Sequence, residues 1–224
     1  MSFATKWKKK KKIIYKQQIQ LINLIAMRMI VAGLKGSGKT TVLKYVSHKK
    51  PDIKILNAGD FFSKVFEKYG LSRDQGDLGI PRDRYVNIQK EIFRSINREA
   101  RKYKDVIIDT HEFLTKKEGH YPGLPEFAMK EINPDIIVVL EYDPKMILKR
   151  REKDIKEIGR QRSAELTVEG IEKEQAIQRG FAFASAAFTA TAVKIISRFE
   201  KEKREFEHAE KNAEEIIKLF GNQS

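Results

Sequence analysis

Met29-Ile30-Val31-Ala32 runs straight into Gly33-Leu34-Lys35-Gly36-Ser37-Gly38-Lys39-Thr40-Thr41, an apolar stretch that breaks into glycine. The second part matches G-x-x-x-x-G-K-[ST] at every fixed position. Its glycines allow successive backbone N–H groups to turn inward and cradle a phosphate, which larger residues would obstruct. Lys39 is placed to reach the β- and γ-phosphates, and the Thr40 hydroxyl to sit on Mg²⁺. Beyond Thr41, apolar Val42, Leu43, Tyr45 and Val46 fall at helical spacing. The glycine loop therefore opens a helix whose N-terminus faces the anion. Strand, loop and helix in that order separate this stretch from a chance glycine-rich turn.

At 224 residues and 41% hydrophobic content, the chain suits one α/β domain with room for a small inserted lid. It has no cysteine, which excludes disulfides, thiolate chemistry and cysteine zinc sites. A cytoplasmic location is the simplest expectation. The net charge of +14 is unevenly spread: seven lysines and Arg28, with no acid among residues 1–28, supply +8 and leave +6 for the rest. The arrangement faintly suggests a signal peptide, but Lys16, Gln17, Gln18, Gln20 and Asn23 interrupt the apolar region and no small-residue cleavage site follows; no stretch approaches 18 consecutive apolar residues, so no membrane span is expected. For this tail three readings stay open: a basic arm for RNA or acidic surfaces, an amphipathic surface helix, or an extension with no role in the fold. We take residues 1–28 as an extension and 29–224 as the folded domain.

Downstream, Ile53 to Asn57 reads as a strand, with Asp60 as N-cap of a helix over Phe61 to Tyr69. A loop over Ser72 to Pro81 precedes a helix from about Arg82 to Lys102, with Val86, Ile88, Ile92, Phe93 and Ile96 on its buried face. Asp105-Val106-Ile107-Ile108-Asp109 is an apolar strand ending in a carboxylate. Asp109 is either an ordinary strand-end aspartate or an acid that orients the Mg²⁺ shell through water; behind a P-loop we read the second. His120-Tyr121-Pro122-Gly123-Leu124-Pro125 reads as a rigid loop, either a structural turn or a place where Gly123 lets a flat ligand approach. Asp135 to Glu141 is a buried parallel strand. The charged stretch 144–165 is either a solvated helix pair or a mobile arginine lid of about residues 150–166, with Gly159 as hinge. A helix from Glu174 to Ala192, a strand Val193 to Ile196 and a helix Phe199 to Phe220 complete the chain. The expected fold is α/β: a P-loop NTPase-type, doubly wound parallel sheet flanked by helices.

The segments Asp109-Thr110-His111, Gly119-His120-Tyr121-Pro122-Gly123-Leu124-Pro125 and Glu131-Ile132-Asn133-Pro134-Asp135-Ile136-Ile137 together resemble the archaeal adenylate kinases. That family carries D-T-H, G-Y-L-P-G-L-P and E-x-N-P-x-x-I at like spacings. Gly159-Arg160-Gln161-Arg162 is similar to its lid segment T-R-N-R, and Thr191 to Ile196 to its last strand. The resemblance covers Met29 to about Ile196. It implies Mg²⁺-dependent phosphoryl transfer from ATP to AMP, giving two ADP. By that resemblance Gly33 to Thr41 hold the ATP phosphates, and Asp60, Gln89, Thr110, His111, Gly123, Leu124 and Pro125 line the AMP pocket. Lys39, Asp109, Arg151, Arg160 and Arg162 would form the catalytic set, the arginines clamping phosphates as the lid closes. Some archaeal members are trimers, so a homo-oligomer is also implied. Two departures stand out. The family's D-R-D-x-M-R appears as Arg73-Asp74-Gln75-Gly76-Asp77, with an aspartate where an arginine belongs near the monophosphate, and the lid is about three residues longer. The readings these leave open are another nucleoside monophosphate as acceptor, or an ATP-binding factor acting on RNA or ribosomal particles.

Overall fold

A computed structural model of the chain describes residues 26–70, 80–116, 118–158 and 165–221. The basic tail up to residue 25, the Arg73–Asp77 segment and the lid arginines Arg160 and Arg162 lie outside the described residues.

Strand β1 (Arg28–Gly33) is buried from Met29 onward because it has a neighbour on either side and helices on both faces. It pairs in parallel with β3 (Val106–Thr110) and with β6 (Ile136–Tyr142). β2 (Lys54–Asn57) adds to β3, and β7 (Ala192–Arg198) adds to β6. The sheet order is β2-β3-β1-β6-β7, all parallel, as expected for a doubly wound sheet.

Alternate side chains of each strand point to opposite faces, and the core divides accordingly. Ile30, Ile108, Ile137 and Val139 pack with helices α2 (Ala58–Lys68), α3 (Arg82–Ala100) and α4 (Glu126–Ile132). Met29, Val31, Ile107, Val138 and Leu140 pack with α1 (Lys39–Lys49) and α7 (Glu207–Gly221). The near-continuous apolar runs of β1, β3 and β6 are what burial on both faces demands. From β1 the chain crosses to β2 and β3 on one side, and later to β6 and β7 on the other. A crevice opens at the carboxyl ends of the central strands where the direction reverses, and the P-loop leaves β1 there. Among the described residues no helix is long and apolar enough to cross a membrane.

Several expectations need correction. Met27 and Arg28, assigned above to the extension, belong to the fold. The Met27 N–H donates to Asp105 Oδ1 at 3.2 Å, and its carbonyl accepts from the Val106 N–H at 2.9 Å. The Arg28 guanidinium donates to Asn97 Oδ1 and to the Ile132 carbonyl. The N-cap of α2 is Asn57, whose side chain accepts from the Gly59 N–H, and Asp60 sits inside the first turn. Gly119–Pro122 is not a plain loop but strand β5, antiparallel to β4 (Phe113–Lys116); the short β-run after Asp109 is interrupted by His111-Glu112 and escapes a periodicity search. Residues 144–158 form a single helix, α5 (Pro144–Ile158). α6 (Val168–Ala187) starts earlier than its apolar pattern, capped by Thr167 accepting from the Gly170 N–H, and α7 starts only at Glu207.

Candidate active site

The P-loop turns through Gly36 at φ 82° and Gly38 at φ 77°, left-handed values that side chains with a Cβ rarely adopt. Gly38 caps α1 with no side-chain hydrogen bond, and the first turn of that helix carries no acid. Its leading N–H groups are therefore left for an anion rather than for a cap.

Lys39 rises from that turn into a buried position. Its Nζ forms an ion pair with Asp109 and donates to the Thr110 carbonyl at 2.5 Å. Asp109 comes from the end of β3, and its other oxygen accepts from Asn57 Nδ2 at 3.0 Å. Asn57 stands opposite Asp109 in the β2–β3 register, so two neighbouring strand ends present their side chains together. Asn57 was invisible as a site residue in the sequence, where it reads only as turn punctuation; strand adjacency is the signal that exposes it. A buried pair of this kind has a large desolvation cost that its mutual attraction offsets, and removing either partner costs about 3–5 kcal/mol.

These residues border a cleft of about 710 Å³ lined by Leu34 to Thr41, Asn57, Asp109, His111, Tyr142, Arg150 and Arg151, among others. The half-buried His111 ring places Nδ1 3.3 Å from the Gly33 carbonyl. Arg150, which nothing in the sequence sets apart from its neighbour, donates to the Ser37 carbonyl at 3.3 Å, lies over the Tyr142 ring and approaches Glu202 at 3.7 Å. It ties the P-loop to the segment between β7 and α7. Two adjacent arginines on one charged helix gave no hint of which would do so.

Arg151 is deeply buried and all three of its nitrogens are engaged. Nε donates to the Lys35 carbonyl, Nη1 to the Glu165 carbonyl and Nη2 to Glu174 at 2.7 Å. In this arrangement it fastens the P-loop to the far side of the lid segment.

The residues read as an acceptor pocket come from α2, α3, the end of β3 and the segment leading into α4. Thr110 lends its carbonyl to Lys39. Asp60 is exposed on α2, and Gln89 is buried on α3 with its Nε2 lacking a hydrogen-bond partner among the described residues. Leu124 is fully buried in the core, and its carbonyl accepts from Ser185 Oγ. Pro125 begins α4. The space at Gly123 is taken by the chain itself: a Cβ there would lie 2.0 Å from the His111 carbonyl oxygen. The Cβ direction at Gly123 is filled by this backbone.

A family model described as "AAA domain" matches residues 32–172. The chain is 42% identical over 197 residues to an adenylate kinase of Pyrobaculum aerophilum, covering 87% of this chain and 96% of that one. It is 37% identical to an adenylate kinase of Thermoplasma acidophilum, covering 87% and 98%. Among solved structures, shikimate kinase from Acinetobacter baumannii in complex with shikimate superposes with a TM-score of 0.52 at 13% identity, covering 92% of this chain and 99% of that one; this likeness speaks to the fold alone. With the P-loop, the Asp109-Thr110-His111 segment and these full-length matches in hand, the chain belongs to the adenylate kinases.

Proposed function

We propose that the protein catalyses reversible transfer of the γ-phosphoryl group of ATP to AMP, giving two ADP. A phosphate oxygen of AMP attacks Pγ, the bond from Pγ to the β,γ-bridging oxygen breaks, and the bridging oxygen remains with the departing ADP. The observation that carries the reading is the buried Lys39–Asp109 pair at the mouth of an uncapped P-loop helix, in a chain of this family.

The P-loop N–H groups would hold the donor phosphates, and Lys39 would exchange Asp109 for β- and γ-phosphate oxygens. The donor set of Thr40 hydroxyl and Asp109 carboxylate, all oxygen, fits Mg²⁺, which is bound through few protein ligands and keeps several waters. When bound, Mg²⁺ would supply positive charge that offsets the charge developing on the phosphate oxygens. Asn57 keeps Asp109 oriented. Gln89 supports an acceptor with a heteroaromatic base, since its buried and unpartnered Nε2 would meet a ring acceptor. Arg160 and Arg162 are the candidates for clamping the transferring group, because Arg151 is already committed to Lys35, Glu165 and Glu174. The protein supplies position, charge and exclusion of water rather than covalent chemistry.

The test is a screen of AMP, GMP, CMP and UMP with ATP and MgCl₂, following ADP formation. Turnover is expected with AMP first. Turnover with CMP or UMP in its place would move the acceptor assignment, with Asp77 as the first residue to examine. Bound ATP with no phosphoryl transfer to any monophosphate would overturn the kinase reading.

A further inference from the structure

Glu112 is left without a role by the site as described. It lies where the chain passes from β3 into the β4–β5 hairpin, its side chain packed away to 1% exposure. Neither carboxyl oxygen has a hydrogen-bond partner among the described residues. Its backbone is held in place, the carbonyl accepting from the Gly123 N–H at 2.7 Å, so the side chain is buried by design of the segment and not by fraying. A carboxyl placed this way is costly unless it stays neutral or finds a cation. Burial pushes it up to about 8, and Lys39 is the charge that acts against that shift. The charge that acts on it is Lys39 from α1, itself paired with Asp109 from β3, while His111 precedes Glu112 directly in the chain.

We propose that Glu112 is a positioning residue for the donor triphosphate, acting through Lys39. Uncharged, it leaves Lys39 paired with Asp109, which incoming phosphates can replace. Ionised, it becomes a second carboxylate acting on the same lysine in a place from which water is excluded, where charges act strongly on one another. It then holds Lys39 back and opposes the negative charge of the nucleotide. The coupling is reciprocal: a polyanion in the P-loop favours the uncharged form of Glu112 to the same extent that ionised Glu112 disfavours the polyanion. This inference rests on the reading of Lys39 as a ligand of the donor phosphates.

The test is the dissociation constant of Mg²⁺ with the non-hydrolysable ATP analogue AMP-PNP, measured by calorimetry from pH 6.5 to 9.5. Wild type is compared with Glu112→Gln, which copies the uncharged carboxyl in size and shape and so keeps the fold. The two are expected to bind equally well below about pH 7. Above that, wild type should weaken relative to the variant by roughly threefold to tenfold by pH 9.5, as expected for a shift of up to about one pKa unit between neighbouring charges. Parallel curves, or a constant ratio at every pH, would overturn the role of Glu112 while leaving the donor site standing. Absence of binding by both proteins at every pH would remove the donor site itself, and this proposal with it.

Discussion

Gly123→Ala isolates a contact that the structure makes unavoidable. A Cβ at this position would sit 2.0 Å from the His111 carbonyl oxygen and 3.0 Å from two backbone carbons of residues 111 and 112. Every atom it meets belongs to backbone, so no rotamer change relieves the clash. The two strands of chain must move apart by about 1.5 Å to reach ordinary contact distance, and that movement breaks the Gly123 N–H to Glu112 carbonyl bond of 2.7 Å. Overpacking of this sort costs about 1–3 kcal/mol, and the lost buried hydrogen bond adds about 1 kcal/mol. A total of about 2–4 kcal/mol corresponds to a fall of roughly 4–16 °C in Tm for a chain of this size. The assay is thermal unfolding by circular dichroism, with nucleotide affinities measured on the same preparation. A wild-type Tm would refute the steric reasoning. A wild-type Tm combined with lost AMP binding would restore the idea that Gly123 makes room for a ligand.

Glu112 also makes stability depend on pH. Unfolded, its carboxyl loses its proton near the ordinary 4.5; folded, it keeps it to about 8. Between those values the folded state binds more protons, so stability falls as pH rises, by about 3 kcal/mol from pH 5 to pH 8. Glu112→Gln removes that contribution, and Tm curves for the two proteins that run parallel over the interval would contradict it. Arg28→Ala should cost about 2–3 kcal/mol through the bonds to Asn97 and Ile132, measurable by urea unfolding, although Arg28 reads as part of a dispensable tail. Arg151→Lys keeps the charge but cannot serve three separate acceptors in the same planar geometry; it should lower Tm by several degrees, and an unchanged Tm with reduced turnover would show that Arg151 acts on phosphate instead.

The sheet and the donor half of the site were legible because both rest on local rules. An unbroken apolar run at β1, β3 and β6 announces burial on two faces, and Gly36, Gly38 and Lys39 state their geometry within a few residues. The hairpin after Asp109 was not legible, since β4 and β5 are each four residues long and owe their pairing to each other and to the Phe113–Phe181 ring contact at 5.9 Å, not to any pattern of their own. The roles of Asn57, Arg150 and Glu112 escaped for a related reason. Each depends on what the topology brings beside it: a neighbouring strand end, a P-loop carbonyl across the cleft, a buried lysine. Asp60 was misread in the opposite direction, since good capping chemistry gave it a plausible local role that Asn57 takes instead.

On this reading Lys39 holds the donor phosphates while they are transferred. Its most direct test is the ADP-forming rate from ATP and AMP in Lys39→Met, which keeps the apolar stem and removes the charge, beside a thermal melt showing that the variant is folded. A loss of roughly a hundredfold or more in kcat is expected for removal of a charge that stabilises the transition state. A folded Lys39→Met protein that turns over ATP and AMP at the wild-type rate would contradict it.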